Sequence, residues 1–499
     1  MSDHAAKSRV DVSAARALHA AGRHEEALGV YRSALALQPD DANLLTDCGV
    51  VLKDLGRREE AAAMLRRAVL RAPAMAAAWF NLGATLLAME RPADAVIAYR
   101  NGLARQPTHP TALFNLGAAY HHLGRWLEAE GAYRCAAELA PETVEAWYNL
   151  GVALQEQGKD NAALRAYRRA LDLDPDHQSA YFNAGVCLLR VGRYGEGWSC
   201  YEARFRSKTF GGARRGFPGK LEWSGEALAG RTLLVHAEQG AGDTIQFVRY
   251  AILLARQGER VVIECQRPLV RLIAATGVFA AVVAAGDTLP DFNVHCPMLS
   301  LPSHFGTTLE SVPGGVPYLS AIADDRCRFR ERVASAAGVK IGLAWAGNPE
   351  NKNDVRRSIA PGQLRVLLDT VGARFFSLQV GVGEDDLADL GRRGVVDLAP
   401  GLADFADTAA AIAELDLVVS VDTAVAHLAG ALGRPIWTLL PRVPDWRWMH
   451  QRPETPWYPT MRLYRQRRAG DWSGPLGDAA RSLAARASAE SAPAAIGVK

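Results

Sequence analysis

Long apolar runs are missing from this 499-residue sequence. No stretch approaches the roughly 18 consecutive apolar residues needed to cross a bilayer. The opening residues, Met1 to Val10, carry Asp3, His4 and Lys7 in place of an apolar core, so no secretory signal is expected. Cysteine is sparse: seven residues lie far apart without a CxxC pair, which argues against a disulfide framework or a thiolate zinc site and fits a reducing cytoplasm. An excess of either charge is also missing. Lys and Arg number 57 against 54 Asp and Glu, a formal net charge of +3, so no whole-molecule field attracts nucleic acid or an anionic membrane. Any phosphate binding has to be local. Apolar residues are plentiful at 49%, and a chain of this length divides into two or three cores.

What is there first is a period. Gly49, Gly83, Gly117, Gly151 and Gly185 are each 34 residues apart, as are Pro39, Pro73, Pro107, Pro141 and Pro175. Ala27, Ala61, Ala95, Ala129 and Ala163 keep the same interval, with Tyr31, Tyr99, Tyr133 and Tyr167 four positions later. A large residue (Trp79, Leu113, Trp147, Tyr181) is expected to fill the gap between two antiparallel helices, the small Gly four positions on to allow close approach, and the Pro to end each unit. This spacing is the tetratricopeptide (TPR) pattern. Five full units are expected, with an irregular sixth closing the array at about residue 205, where Gly197 and Trp198 break the pattern and the stack docks onto something else. Asn81, Asn115, Asn149 and Asn183 also recur at 34. Amides on the concave face can grip an extended peptide backbone, or can simply bond their neighbours.

Beyond a basic, glycine-rich linker (206–230) the pattern turns to strands alternating with helices, the signature of parallel-sheet α/β lobes. Strands are expected near 231–237, 260–264, 280–284, 340–346, 373–379, 395–398, 416–420 and 435–440, with a hinge at about 297–338 and a cleft between two Rossmann-like lobes. Ligands collect beyond the carboxyl ends of such strands. The first such turn holds Gly240, Gly242 and Asp243, the glycines offering a tight turn and close approach of a ligand, and Asp243 either a helix cap or a general base. A G-x-G-x-x-G dinucleotide fingerprint fails at Ile245, although Glu264 ends the next strand. Another turn runs from Asp422 to Gly433: Asp422 or Thr423 can cap a helix whose first-turn N–H groups form a diphosphate site, with His427 one turn in. The polar turn Gly347–Ser358 brings Lys352 and Arg357, either as fixed cations for a departing diphosphate or as part of a solvated loop. An aromatic stretch, Pro444–Trp448 and Trp457–Pro459, is expected to pack the lobes.

The strand followed by Gly242-Asp243 and the late string Asp422-Thr423 … His427-Leu428-Ala429 … Gly433 resemble the ADP-heptose:lipopolysaccharide heptosyltransferases, over about residues 231 to 470. The resemblance implies a GT-B fold, a nucleotide-sugar substrate bound by the second lobe, no cofactor or obligatory metal, and inversion by direct displacement. On it Asp243 matches the catalytic base, and Asp422, Thr423 and His427 match the donor segment. Ala424 stands where the family has Gly, and Thr244 to Phe247 lack the family's acceptor-side His and Pro. With repeats in front, the layout is similar to protein O-GlcNAc transferases.

The resulting expectation is a soluble cytoplasmic glycosyltransferase: a TPR superhelix (8–205), a linker, α/β lobes at 231–320 and 339–475, and a terminal helix and tail (476–499). It moves a sugar from a nucleotide diphosphate to a hydroxyl, with a protein or peptide acceptor along the concave TPR face. The alternatives left open are a scaffold with a degenerate transferase half and a dinucleotide-binding enzyme.

Overall fold

A computed structural model describes residues 12–207, 214–334, 338–350, 354–450 and 452–491. It divides into two compact units that part between Ala180 and Tyr181.

The first unit is a TPR superhelix of helix pairs running from Ser13–Ala20 and His24–Leu37 to Val144–Gln155 and Asp160–Leu173. Tyr31, Tyr99, Tyr133 and Tyr167 are fully buried. They explain the recurrent glycine: a Cβ on Gly83 would lie 2.9 Å from the Tyr99 ring, and one on Gly151 would lie 2.4 Å from the Tyr167 ring. The tyrosine therefore fills the gap between paired helices. Trp79 and Trp147, expected in that gap, are half-buried and instead donate their indole N–H to the carbonyls of Pro73 and Pro141. The turns within pairs use Gly22, Gly56, Gly124 and Gly158 at φ 66 to 76°, whereas the third repeat places Glu90 there at φ 57°.

The second unit starts earlier than the sequence suggests. Phe182, Leu189, Tyr194, Trp198 and Tyr201 share one core with Phe247, Trp446 and Trp457, so the sixth repeat belongs to the α/β half. Its Trp198 donates to the Thr307 carbonyl at 3.0 Å, and the Trp457 indole donates to the Tyr194 hydroxyl at 3.2 Å. The expected domain boundary at residue 205 is thus corrected, because the large aromatics of this repeat are what the lobes pack upon.

Two sheets follow. The first lobe has β1 (Leu221–Glu222), β2 (Leu233–His236), β3 (Val261–Cys265), β4 (Ala281–Ala284) and β5 (Val294–Pro297), in the order β1-β5-β2-β3-β4 and parallel throughout. β1 falls inside the expected linker and extends the sheet beside β5. The second lobe has β6 (Val339–Ala344), β7 (Ala373–Ser377), β8 (Val396–Asp397), β9 (Leu417–Val421), β10 (Ile436–Leu440), β11 (Glu454–Thr455) and β12 (Tyr458–Arg465). Its order, β11-β12-β10-β9-β6-β7-β8, contains the 3-2-1-4-5-6 arrangement of a doubly wound sheet, edged by antiparallel β11. The pair is GT-B-like. The expected hinge holds helices, of which Ala323–Ala334 packs on Phe405–Ala413. The final helix begins at Ser473 and covers the second sheet through Leu476, Ala479 and Leu483.

No helix among the described residues is long and apolar enough to cross a membrane.

Candidate active site

In a doubly wound sheet the strand order reverses at one point, and the turns leaving the two strands there diverge to leave a crevice. In the second lobe these strands are β6 and β9, followed by Trp345–Asn348 and Asp422–Ala424; in the first lobe the turn after β2 is Ala237–Asp243. All three turns meet in one cavity of about 590 Å³. Its walls include Gly240, Gly242, Asp243, Arg357, Asp422, Thr423, Ala424, His427 and Arg447. A second cavity of about 300 Å³ shares Gly347, Asn348, Phe405, Thr423 and Ala424 with it and is lined further by Leu378, Val380, Leu402 and Thr408.

Asp243 sits in the first turn of helix Ala241–Arg256. Its Oδ2 accepts the Gly240 N–H at 3.0 Å, while Oδ1 is ion-paired with Arg447. Gly240, not Asp243, holds the N-cap position, and Asp243 reaches back to the Gly240 amide from the third position of the helix. Burial raises the Asp243 pKa, and the Arg447 charge opposes that rise. Arg447 also donates to Gln246 Oε1 at 2.6 Å and to Asp445 Oδ1 at 2.8 Å. In the sequence Arg447 is one residue of the aromatic stretch Pro444–Trp448. Nothing local marks it, since its partner is 204 residues away.

The glycines act differently from expectation. Gly240 has an ordinary φ of −70°, and a Cβ there would meet only Asp243 Oδ2 at 3.5 Å, so no special turn requires it. Gly242 does need to be small, because a Cβ would lie 2.9 Å from the His427 ring. It lets helix Ala241–Arg256 approach helix Ala424–Ala431 across the lobes.

Asp422 does not cap the latter helix; Thr423 holds the N-cap position without a side-chain cap bond, and its hydroxyl lies 3.2 Å from Ser420 Oγ. The start of this helix therefore has no side-chain cap from Thr423, beside the cavity that Ala424 lines. The Asp422 pKa is pushed up to about 6, first by burial and then by the Asp445 carboxylate, against the pull of Trp448, Arg357 and Arg447. His427 is buried, with Nδ1 3.0 Å from the Tyr458 hydroxyl and Nε2 4.0 Å from Asp422 Oδ1. Burial, then the charges of Arg447, Arg249 and Arg357, drive its pKa well below the usual histidine value, so it is a neutral imidazole held against Trp448 and Tyr458.

Arg357 lines the cavity and donates to Asp354 Oδ1 at 3.1 Å. Lys352 lies outside the described residues. Glu264 is buried and ion-paired with Arg215, which ties up the carboxylate that a dinucleotide ribose would need. In the repeats, Asn81 and Asn149 donate to the Ala77 and Glu145 carbonyls of their own helices, and Asn115 is half-buried. Asn183 is corrected: at 7% exposure it lies within the second unit and offers no amide to an open groove.

Residues 385–448 match the model of glycosyltransferase family 9 (heptosyltransferase). The match covers the Asp422–Gly433 string and Arg447 but stops short of Arg357 and Asp243. TPR models match residues 18–86, 84–142, 124–160 and 144–177. The chain thus joins protein-interaction repeats to a glycosyltransferase-like region. Protein FlbA of Caulobacter vibrioides is 28% identical over 334 residues, which is 59% of this chain and 53% of FlbA. The chain spans about half the length of that curated relative. Among solved structures, MamA from Desulfovibrio magneticus is 22% identical over 32% of this chain and 91% of its own, with a TM-score of 0.31. YrrB, described as a TPR protein with an unusual peptide-binding site, is 26% identical over 33% of this chain and 86% of its own, also with a TM-score of 0.31.

Proposed function

We propose that the second unit transfers a sugar from a nucleoside diphosphate to an acceptor hydroxyl. The observation that carries this reading is the single cavity in which one buried carboxylate of the first lobe, Asp243, faces the open helix start and Arg357 of the second. In the reaction the acceptor oxygen attacks the anomeric carbon, Asp243 takes the hydroxyl proton, and the bond to the diphosphate oxygen breaks. One displacement inverts the anomeric centre. Each carboxylate oxygen has two lone pairs, so Asp243 can hold Arg447 and the Gly240 amide and still accept a proton. Negative charge then gathers on the leaving diphosphate, where the amides of Ala424 and Val425 and the Arg357 guanidinium stabilise it without a metal. The smaller cavity, with Leu378, Val380, Leu402 and Phe405, suits the apolar faces of a nucleoside. A protein acceptor reaching the site by way of the repeats is part of this reading, as is a cytoplasmic location.

The test is release of nucleoside diphosphate from a panel of nucleotide sugars, with and without candidate acceptors. Acceptor-dependent release from one donor supports the enzyme. Saturable nucleotide binding without any release, across the panel, supports the rival scaffold instead.

A further inference from the structure

The first repeat carries a cluster that sugar transfer does not use. His19 lies in the last turn of helix Ser13–Ala20, His24 opens helix His24–Leu37, and Asp54 ends helix Ala42–Asp54 of the next repeat. One ring nitrogen from each histidine and one Asp54 oxygen lie within 4.8 Å of one another. His19 Nε2 is 2.8 Å from Asp54 Oδ2, the two rings meet edge to face at 5.1 Å, and His24 Nδ1 is buried with no hydrogen-bond partner. Nearby charges leave the carboxylate available: Arg23 is paired with Glu26, and Lys53 approaches only the other Asp54 oxygen, at 3.7 Å.

We propose that His19, His24 and Asp54 form a zinc site that staples the first helix to the array. Two imidazoles and a carboxylate are a borderline N₂O donor set, suited to Zn²⁺ with water in the fourth position. Bonds of about 2.0–2.2 Å place tetrahedral ligands about 3.3–3.6 Å apart, so side-chain rotation closes the cluster without moving the helices. The fold has a use for such a staple. Helix Ser13–Ala20 buries only Ala15 completely, so its own apolar packing holds it weakly. A metal bridging His19 to His24 and Asp54 ties it to both flanking elements.

Zinc titration of the full chain by calorimetry, with amide exchange of residues 13–37 followed in parallel, tests the site. The expected result is saturable binding of one ion, slowed exchange in helix Ser13–Ala20, and reversal of both by a chelator. His24→Asn and Asp54→Asn should each lose that binding event and the slowed exchange. Zinc held elsewhere, by other histidines or the exposed Cys135 and Cys327, would persist in both variants. The proposal is overturned if the unaltered chain shows no zinc-dependent protection of this helix, or if His24→Asn keeps it.

Discussion

The guanidinium of Arg447, carried by the second lobe, is ion-paired with the Asp243 carboxylate of the first, and both side chains are largely buried at 8% and 18% exposure. Removing one member of a buried pair leaves the other charge desolvated, at about 3–5 kcal/mol. Arg447→Ala should therefore destabilise the second unit by about that amount in denaturant unfolding. Adding Asp243→Asn should recover part of the loss. If the two effects simply add, the pair is not coupled and the cross-lobe link has no energetic weight.

Asp243→Asn alone separates chemistry from binding. An amide keeps the shape and can still accept from Arg447 through its oxygen, but it cannot take a proton. Transfer should fall about 100-fold or more, the usual contribution of a general base, while nucleoside diphosphate affinity stays near that of the unaltered protein. Equal losses in both would make Asp243 a binding group.

Asp422 should make stability depend on pH. Its ordinary value is 3.8 and the fold raises it to about 6, so the native state binds a proton that the unfolded chain gives up. Stability from this group is present below pH 4 and declines as the pH climbs through about 6. Raising the carboxyl from 3.8 to about 6 corresponds to about 3 kcal/mol. Asp422→Asn cannot titrate, so its stability relative to the parent should rise by up to that amount between pH 4 and 7. A pH-independent difference would show that the carboxylate is ionised throughout.

The boundary between units can be tested by truncation. A chain beginning at Gln178 keeps Tyr194, Trp198 and Tyr201 against Phe247, Trp446 and Trp457 and should unfold cooperatively. One beginning at Arg231 uncovers those aromatics and should aggregate; Trp198→Ala in the longer piece should cost about 3–5 kcal/mol.

Much of this architecture was legible. The repeats declare themselves through Gly, Ala, Tyr and Pro at a fixed period, since each unit solves the same packing problem. The strands that flank the cavity read as apolar runs; Asp422 follows its strand directly, and Asp243 closes the turn that follows its own. What escaped depends on distant partners. β1, only Leu221–Glu222, exists because β5 offers it an edge, and Arg447 matters through a carboxylate far away in the chain. Asn183 shares its repeat position with the other asparagines, yet its helix packs into the second core. A period specifies a place on a helix, not what covers that place.

Glu90 offers the cleanest test of the repeat geometry. It stands at φ 57°, where the other turns within pairs place Gly22, Gly56, Gly124, Gly158 and Gly192. An L-residue in the left-handed region costs about 1–2 kcal/mol through its Cβ, whereas glycine costs about 0.5–1 kcal/mol in lost chain freedom. Glu90→Gly should therefore stabilise the repeats by a net of about 0.5–1 kcal/mol, read as a raised denaturant midpoint with unchanged slope. Glu90→Ala is the control. It removes the carboxylate but keeps the Cβ, so it should give no comparable gain. If alanine stabilises as much as glycine, charge and not backbone strain is what Glu90 contributes to that turn.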